Sequence, residues 1–115
     1  MKSHITSSGK KAAEASDEIF INEVQDAIDL MADLSYQGFE CLILNEKNLN
    51  RDFFDLKTRF AGEILQKFSN YRFKLAVIGD FSVYSSKSLK DFIRESNKVK
   101  SIIFTNTVAD ALKYL

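Results

Sequence analysis

Proline is absent from this chain of 115 residues, cysteine and histidine occur once each, and glycine occurs four times. Each scarcity excludes something. Cys41 has no partner for an internal disulfide, so the chain reads as a protein of a reducing, cytoplasmic setting. One His and one Cys cannot supply a set of zinc ligands or a Ser-His or Cys-His couple for nucleophilic catalysis. Neither GxxxxGK followed by Ser or Thr nor GxGxxG occurs, and scattered glycines cannot build a loop that lays backbone N–H groups on a phosphate. The expectation is a domain with no catalytic residue, no metal and no cofactor. Net charge is missing too: 16 basic residues cancel 16 acidic ones, so no overall field draws in nucleic acid or anionic lipid. The same neutrality leaves association with a protein partner or a second copy unopposed. The apolar runs span a few residues only, far short of a membrane crossing, and the polar start MKSHITSSGKK lacks the apolar stretch of a signal peptide. With no proline to break elements, turns fall to Gly, Asn and Ser.

What is present supports one domain over residues 1–115. Hydrophobic residues make up 45%, with ten Phe and four Tyr, enough for one core. His4–Thr6 and Lys11–Ala15 flank Gly9 and read as a hairpin within residues 1–17, although Ala12, Ala13 and Ala15 are poor strand formers. Glu18–Ile21 reads as a short strand, with Asn22 as the cap of the helix that follows and Gln25 at capping-box spacing. Val24, Ala27, Ile28, Met31 and Leu34 recur at helical spacing, and Gly38 stops that helix. Cys41–Leu44, Leu75–Ile78 and Ile102–Phe104 are all-apolar and read as adjacent central strands covered on both faces. Between them, Arg51–Phe68 becomes helical in its latter part, and a helix through Leu89, Phe92 and Ile93 begins at Ser85, Ser86 or Ser88 and stops near Asn97. A last helix, capped by Asn106 or Thr107, carries Val108, Ala111, Leu112 and Leu115 on one face. The alternation predicts an α/β fold: a mostly parallel, mixed sheet of four to five strands with about four helices.

Polar clusters follow the strands at Asn45, Glu46 and Lys47, at Asp55, Lys57 and Thr58, and at Asp80, Ser82, Tyr84, Ser85 and Lys87. In a parallel sheet these gather at the carboxyl ends of the strands, where ligands usually bind. The competing account is that they are helix caps and solvated loops, which every α/β domain has there. Cys41 opens an apolar strand and reads as a buried structural thiol. Most phenylalanines read as core, with one of Phe53 and Phe54 available as a partner contact.

The stretch FFDLKTRFAGEILQKFSNYRFKLAVIGDFSVYSSKSLKDFIRESN, from Phe53 to Asn97, resembles a family of small bacterial proteins known as a domain of unknown function, number forty-one-eighty. FFDLKT, AGEILQKF, GDFS and SLKDFI-ESN carry the resemblance, which extends over most of the chain from Asn22 onward. The resemblance implies Gly where this chain has Arg59; a Gly there would allow a close approach or a positive φ. A fainter similarity is to the sulfate-transporter and anti-sigma-factor-antagonist (STAS) fold, through the tail from Leu75 to the closing FTNTVADALKYL. There, Asp55-Leu-Lys-Thr58 with Ala61-Gly62 stands where STAS domains carry a phosphorylatable Ser or Thr at a helix start. The STAS-like resemblance implies a non-enzymatic regulatory or protein-interaction domain, with Asp55–Thr58 as its contact surface and phosphorylation of Thr58 as a switch. The alternative is a domain, or a minor enzyme, that binds a small anionic ligand through Asp80, Ser82 and Lys87 with Asn45 or Glu46. A third reading is a structural subunit acting only as a dimer.

Overall fold

The computed structural model describes residues 1–115. Its elements, in chain order, are β1 (Lys2–Ile5), β2 (Lys11–Glu14), α1 (Val24–Tyr36), β3 (Cys41–Asn45), α2 (Phe60–Asn70), β4 (Lys74–Ile78), α3 (Lys87–Val99), β5 (Ile103–Thr105) and α4 (Val108–Tyr114). The five strands lie side by side in the order of the chain; β1 runs antiparallel to β2, and β2 through β5 are parallel. Each crossover steps to the next strand in the same sense, so α1, α2 and α3 fall on one face of the sheet. On that face Leu42, Leu44, Leu75, Val77 and Phe104 pack against Met31, Ile64 and Phe68. Alternate residues Cys41, Ile43, Ala76, Ile78 and Ile103 turn to the other face, beneath Ala111 and Leu115 at the chain's end. Both faces are covered, which is why these strands are apolar at every position. No helix is long and apolar enough to cross a membrane.

The parallel sheet begins one segment earlier than the sequence predicts. Glu18–Ile21 forms no strand; Ile21 makes a single bridge to Leu49, and the place is taken by β2, the second arm of the hairpin. Ala12 and Ala13 are wholly buried there. Their weak strand propensity is overridden by burial and by pairing with β1 on one side and β3 on the other. The hairpin turns at Gly9, whose φ of +86° glycine adopts without strain. That turn also holds the end of α4: Ser7 N–H donates to the Leu112 carbonyl at 2.9 Å, and Ser8 Oγ and Lys10 Nζ donate to a Leu115 oxygen at 3.0 and 3.1 Å. Carbonyls left open at a helix end are thereby satisfied.

Two further expectations shift. The cap of α1 is Glu23, one residue past Asn22; the Asp26 carboxylate accepts from the N–H groups of both, so Asp26 takes the part assigned to Gln25. β5 is an edge strand, not a central one. Its side chains Ile103 and Phe104 are buried, and its open side is occupied at Phe104. There Asn97 Nδ2 donates to the Phe104 carbonyl at 3.1 Å and Asn97 Oδ1 accepts from the Phe104 N–H at 2.7 Å. Asn97 lies in the last turn of α3, which stops near it at Val99, and its amide stands in for a neighbouring strand.

Cys41 is fully buried at the start of β3, and burial pushes its thiol up to about 11 from 9.0, against the opposing charges of Lys10 and Lys74. The folded chain therefore holds this proton more tightly than the unfolded chain. The resulting stabilisation is intact below pH 9 and is lost as pH rises through about 11. The loss should amount to about 2–3 kcal/mol. Urea denaturation between pH 8 and pH 11 should show the stability difference between the parent and Cys41→Ala shrinking by that amount; a constant difference would contradict it.

Candidate functional site

The carboxyl ends of β3 and β4 break into short 3₁₀ turns, each opened by an Asn or Asp. Asn45 accepts from the Lys47 N–H, Asn50 from Asp52, Asp55 from Lys57 and Asp80 from Ser82, at 3.0–3.2 Å. Such side chains imitate a turn's own carbonyl, so a chain with Asn or Asp at 45, 50, 55 and 80 folds here as linked turns instead of one long helix. Arg51–Phe54 and Leu56–Thr58 are therefore 3₁₀ turns, and α2 starts only at Phe60, after Arg59 at φ +64°.

Asn48 anchors the first turn from inside. It is buried, its Oδ1 accepts from Asn45 N–H at 2.7 Å, and its Nδ2 donates to the Ser16 and Ile19 carbonyls at 3.0 and 2.8 Å. With the bridge at Ile21 this fixes the 16–21 segment and sets Phe20 over the strand ends. Phe54 stacks on Tyr84 at 5.0 Å and approaches Phe81 at 6.1 Å, while Phe81 meets Phe104 edge-on at 5.3 Å. Aromatic contact thus ties the turns after β3 to the turn after β4.

Between these turns lies a cleft of about 660 Å³, with Phe20, Phe54 and Tyr84 among its walls and Glu46, Lys47 and Arg51 among its polar groups. Glu46 folds over Gly79, where an added Cβ would come within 2.7 Å of the carboxyl carbon. A side chain at position 79 would therefore push the Glu46 carboxylate aside. Tyr84 Oη donates to Glu46 Oε2, and Asp80 N–H to Oε1, each at a long 3.5 Å. Burial, then the Glu46 carboxylate, raises the Tyr84 phenol above its usual range, so it stays a neutral donor. A partly buried carboxylate, a neutral phenol and two exposed cations can hold a ligand or a partner side chain. The lone histidine lies elsewhere, on β1 with Nε2 2.7 Å from Glu14 Oε1, and Cys41 lies at the opposite end of β3.

Asp55, Lys57, Thr58, Asp80, Ser82 and Lys87 do not line this cleft, whereas Glu46, which the sequence offered for the anionic-ligand alternative, does. Asp55, Lys57 and Thr58 are exposed on the third turn after β3. Thr58 Oγ1 donates toward the Asp52 and Asp55 carbonyls at 2.6 and 2.7 Å and accepts from Phe60 N–H at 3.2 Å. Its hydroxyl therefore braces the turn and takes the first N–H of α2, although the N-cap position itself is Arg59. Asp80 and Ser82 are exposed on the turn after β4, where the Ser82 hydroxyl and N–H hold the Asp80 carboxyl below its usual range. Lys87 is not brought to them; its ammonium pairs with Asp91 at 3.0 Å, one turn along α3. Glu46, Lys47 and Tyr84 belonged to the sequence clusters, whereas Arg51, Phe20 and Asn48 did not. The recurrent Asn at 45, 48 and 50 was the signal for them.

A family model described as "Domain of unknown function (DUF4180)" matches residues 7–115. Comparison with curated proteins and with solved structures found no match.

Proposed function

The chain belongs to the DUF4180 family, and we propose that it acts as a non-enzymatic protein-interaction domain whose contact surface is the carboxyl end of its sheet. Asp55, Lys57 and Thr58 form one half of that surface and Asp80 and Ser82 the other. The supporting observation is the aromatic bridge of Phe54 to Tyr84 and Phe81, which holds two exposed polar turns in one rigid arrangement. Rigid, prepaid geometry of this kind lowers the ordering cost of association. Thr58 is the natural control point. A phosphate on its hydroxyl would exchange a donor for a dianion facing the Asp52 and Asp55 carbonyls, so the turn would have to open. This reading agrees with the likeness to STAS domains, which carry a phosphorylatable hydroxyl at a helix start.

The test uses a partner recovered with tagged full chain. Lys57 is exposed and its side chain bonds to nothing, so Lys57→Glu should melt with the parent. It should nevertheless bind the recovered partner about tenfold more weakly, a loss of about 1.4 kcal/mol. Thr58→Glu should lose as much or more. Equal affinity for parent and Lys57→Glu, or a chain that retains only a small molecule in the Glu46–Tyr84 cleft, would overturn the reading in favour of ligand binding.

A further inference from the structure

We infer that the amino end of the sheet, opposite the contact surface, is a binding site for a diphosphate-type oxyanion. Because β2 through β5 run parallel, the residues that precede them share one edge. There the chain places Lys10 before β2, Arg72 and Lys74 at β4 and Lys100 before β5. Two adjoining clefts open at this edge, of about 420 and 270 Å³, and Lys10, Lys74 and Lys100 line both. Arg72, Ser69 and Ser101 complete the larger one. None of these four cations takes part in an ion pair with an Asp or Glu side chain; the pairs in the molecule are His4–Glu14, Lys87–Asp91, Arg94–Asp91 and Lys113–Asp110. The acidic residue at this edge is Glu40, whose main-chain carbonyl accepts from Lys74 N–H. Lys10 Nζ is already engaged, by a Leu115 oxygen at 3.1 Å and Ser8 Oγ at 3.0 Å, which leaves Arg72, Lys74 and Lys100 as unpaired cations along one rim; in a chain whose charges balance overall they are a local concentration of positive potential.

Arg72 and Lys100 also stand at φ +55° and +58°, immediately after α2 and α3. Phe73 N–H donates to the Phe68 carbonyl and Ser101 N–H to the Ser96 carbonyl, so both helices close in the manner that ordinarily selects glycine at the left-handed position. Cations near helix C-termini complement the helix dipole, which accounts for a basic residue in the last turn. That does not account for two of them in a strained backbone region, nor for Lys10 just before β2 and Lys74 at the start of β4. Convergent ammonium and guanidinium groups flanked by two serine hydroxyls suit the oxygens of a doubly or triply charged phosphate group, with Arg72 able to bond in fork geometry.

The experiment is a titration of uniformly ¹⁵N-labelled full chain with inorganic pyrophosphate at low ionic strength, followed by amide shifts and run in parallel with a nucleoside diphosphate. Saturable shifts at Lys10, Arg72–Lys74 and Lys100–Ser101 with a sub-millimolar Kd are expected. Tighter binding of the nucleoside diphosphate would mark the ligand as a nucleotide, and equal binding would mark it as the free diphosphate. Lys74→Ala should weaken binding about tenfold. The Arg72→Gly/Lys100→Gly double variant should melt above the parent, since glycine relieves both backbone positions, and yet bind at least tenfold more weakly. Shifts that fail to saturate, affinity unchanged in Lys74→Ala, or perturbation confined to Lys47, Arg51 and Tyr84 would overturn the assignment.

Discussion

Phe53→Ala is expected to cost about 3–5 kcal/mol of unfolding free energy, read from urea denaturation at neutral pH. Phe53 is 1% exposed, and its ring meets those of Phe54, Phe60 and Phe104 at 5.0, 6.2 and 6.3 Å. It belongs to a 3₁₀ turn and yet fills the space between α2 and the sheet. Truncation removes the transfer free energy of a large aromatic and leaves a cavity bordered by three rings that cannot all close in. Against a typical total of about 5–15 kcal/mol this is a large share. Phe53→Leu should recover more than half of the loss, because it restores most of the volume. A denaturation midpoint for Phe53→Ala near the parent's would mean that the turns after β3 are not part of the cooperative core.

The second large effect comes from a polar residue. Asn48→Leu keeps the branching of the side chain but leaves the Asn45 N–H and the Ile19 carbonyl without their partner, while the exposed Ser16 carbonyl keeps the Ile19 N–H. Groups stripped of a hydrogen bond away from water cost about 1–3 kcal/mol each, so a loss of at least about 2 kcal/mol is expected. Thermal melting would report the size. Hydrogen exchange would report the place: the Asn45 amide should exchange much faster in the variant than in the parent. A further consequence is local, since the 16–21 segment carries Phe20, and loosening it removes one wall of the Glu46–Tyr84 cleft. An isoleucine or leucine at position 48 that left both stability and Asn45 exchange unchanged would show that water replaces the side chain without penalty.

These two residues mark the boundary of what was legible in the sequence. Cys41–Leu44, Leu75–Ile78 and Ile102–Phe104 could be read as strands because burial on two faces demands apolar residues at every position. The stripe from Val24 to Leu34 could be read as a helix because burial on one face demands a period near 3.6. Features set by shape were harder. Ala12 and Ala13 look like poor strand residues, and only their burial between β1 and β3 sets them in a strand. Glu18–Ile21 has the pattern of a strand, but Asn48 and the bridge to Leu49 capture it first. Asn97 carries the ordinary mark of a helix end, and nothing local shows that its amide reaches a strand seven residues on. At the candidate site, sequence placed Asp55, Lys57, Thr58, Asp80 and Ser82 after the strands, where they are. Glu46, Lys47 and Tyr84 of the cleft were in the same clusters, but Phe20 and Arg51 were not, because they reach it only through turns that Asn45, Asn48 and Asn50 create.

The side-chain amide on β5 also determines how copies of this sheet can associate. A strand edge is a template, and a sheet with two usable edges can add molecules at both ends without limit. Here the outward-facing N–H and carbonyl of Phe104 are already taken by Asn97, so that flank behaves as a terminated chain end. The other flank, β1, pairs with β2 alone and keeps its outer side unpaired. Two molecules joined through their β1 flanks would present only terminated flanks outward. Strand-to-strand growth therefore stops at a closed pair, and the fibre that an open sheet invites has no second site from which to propagate.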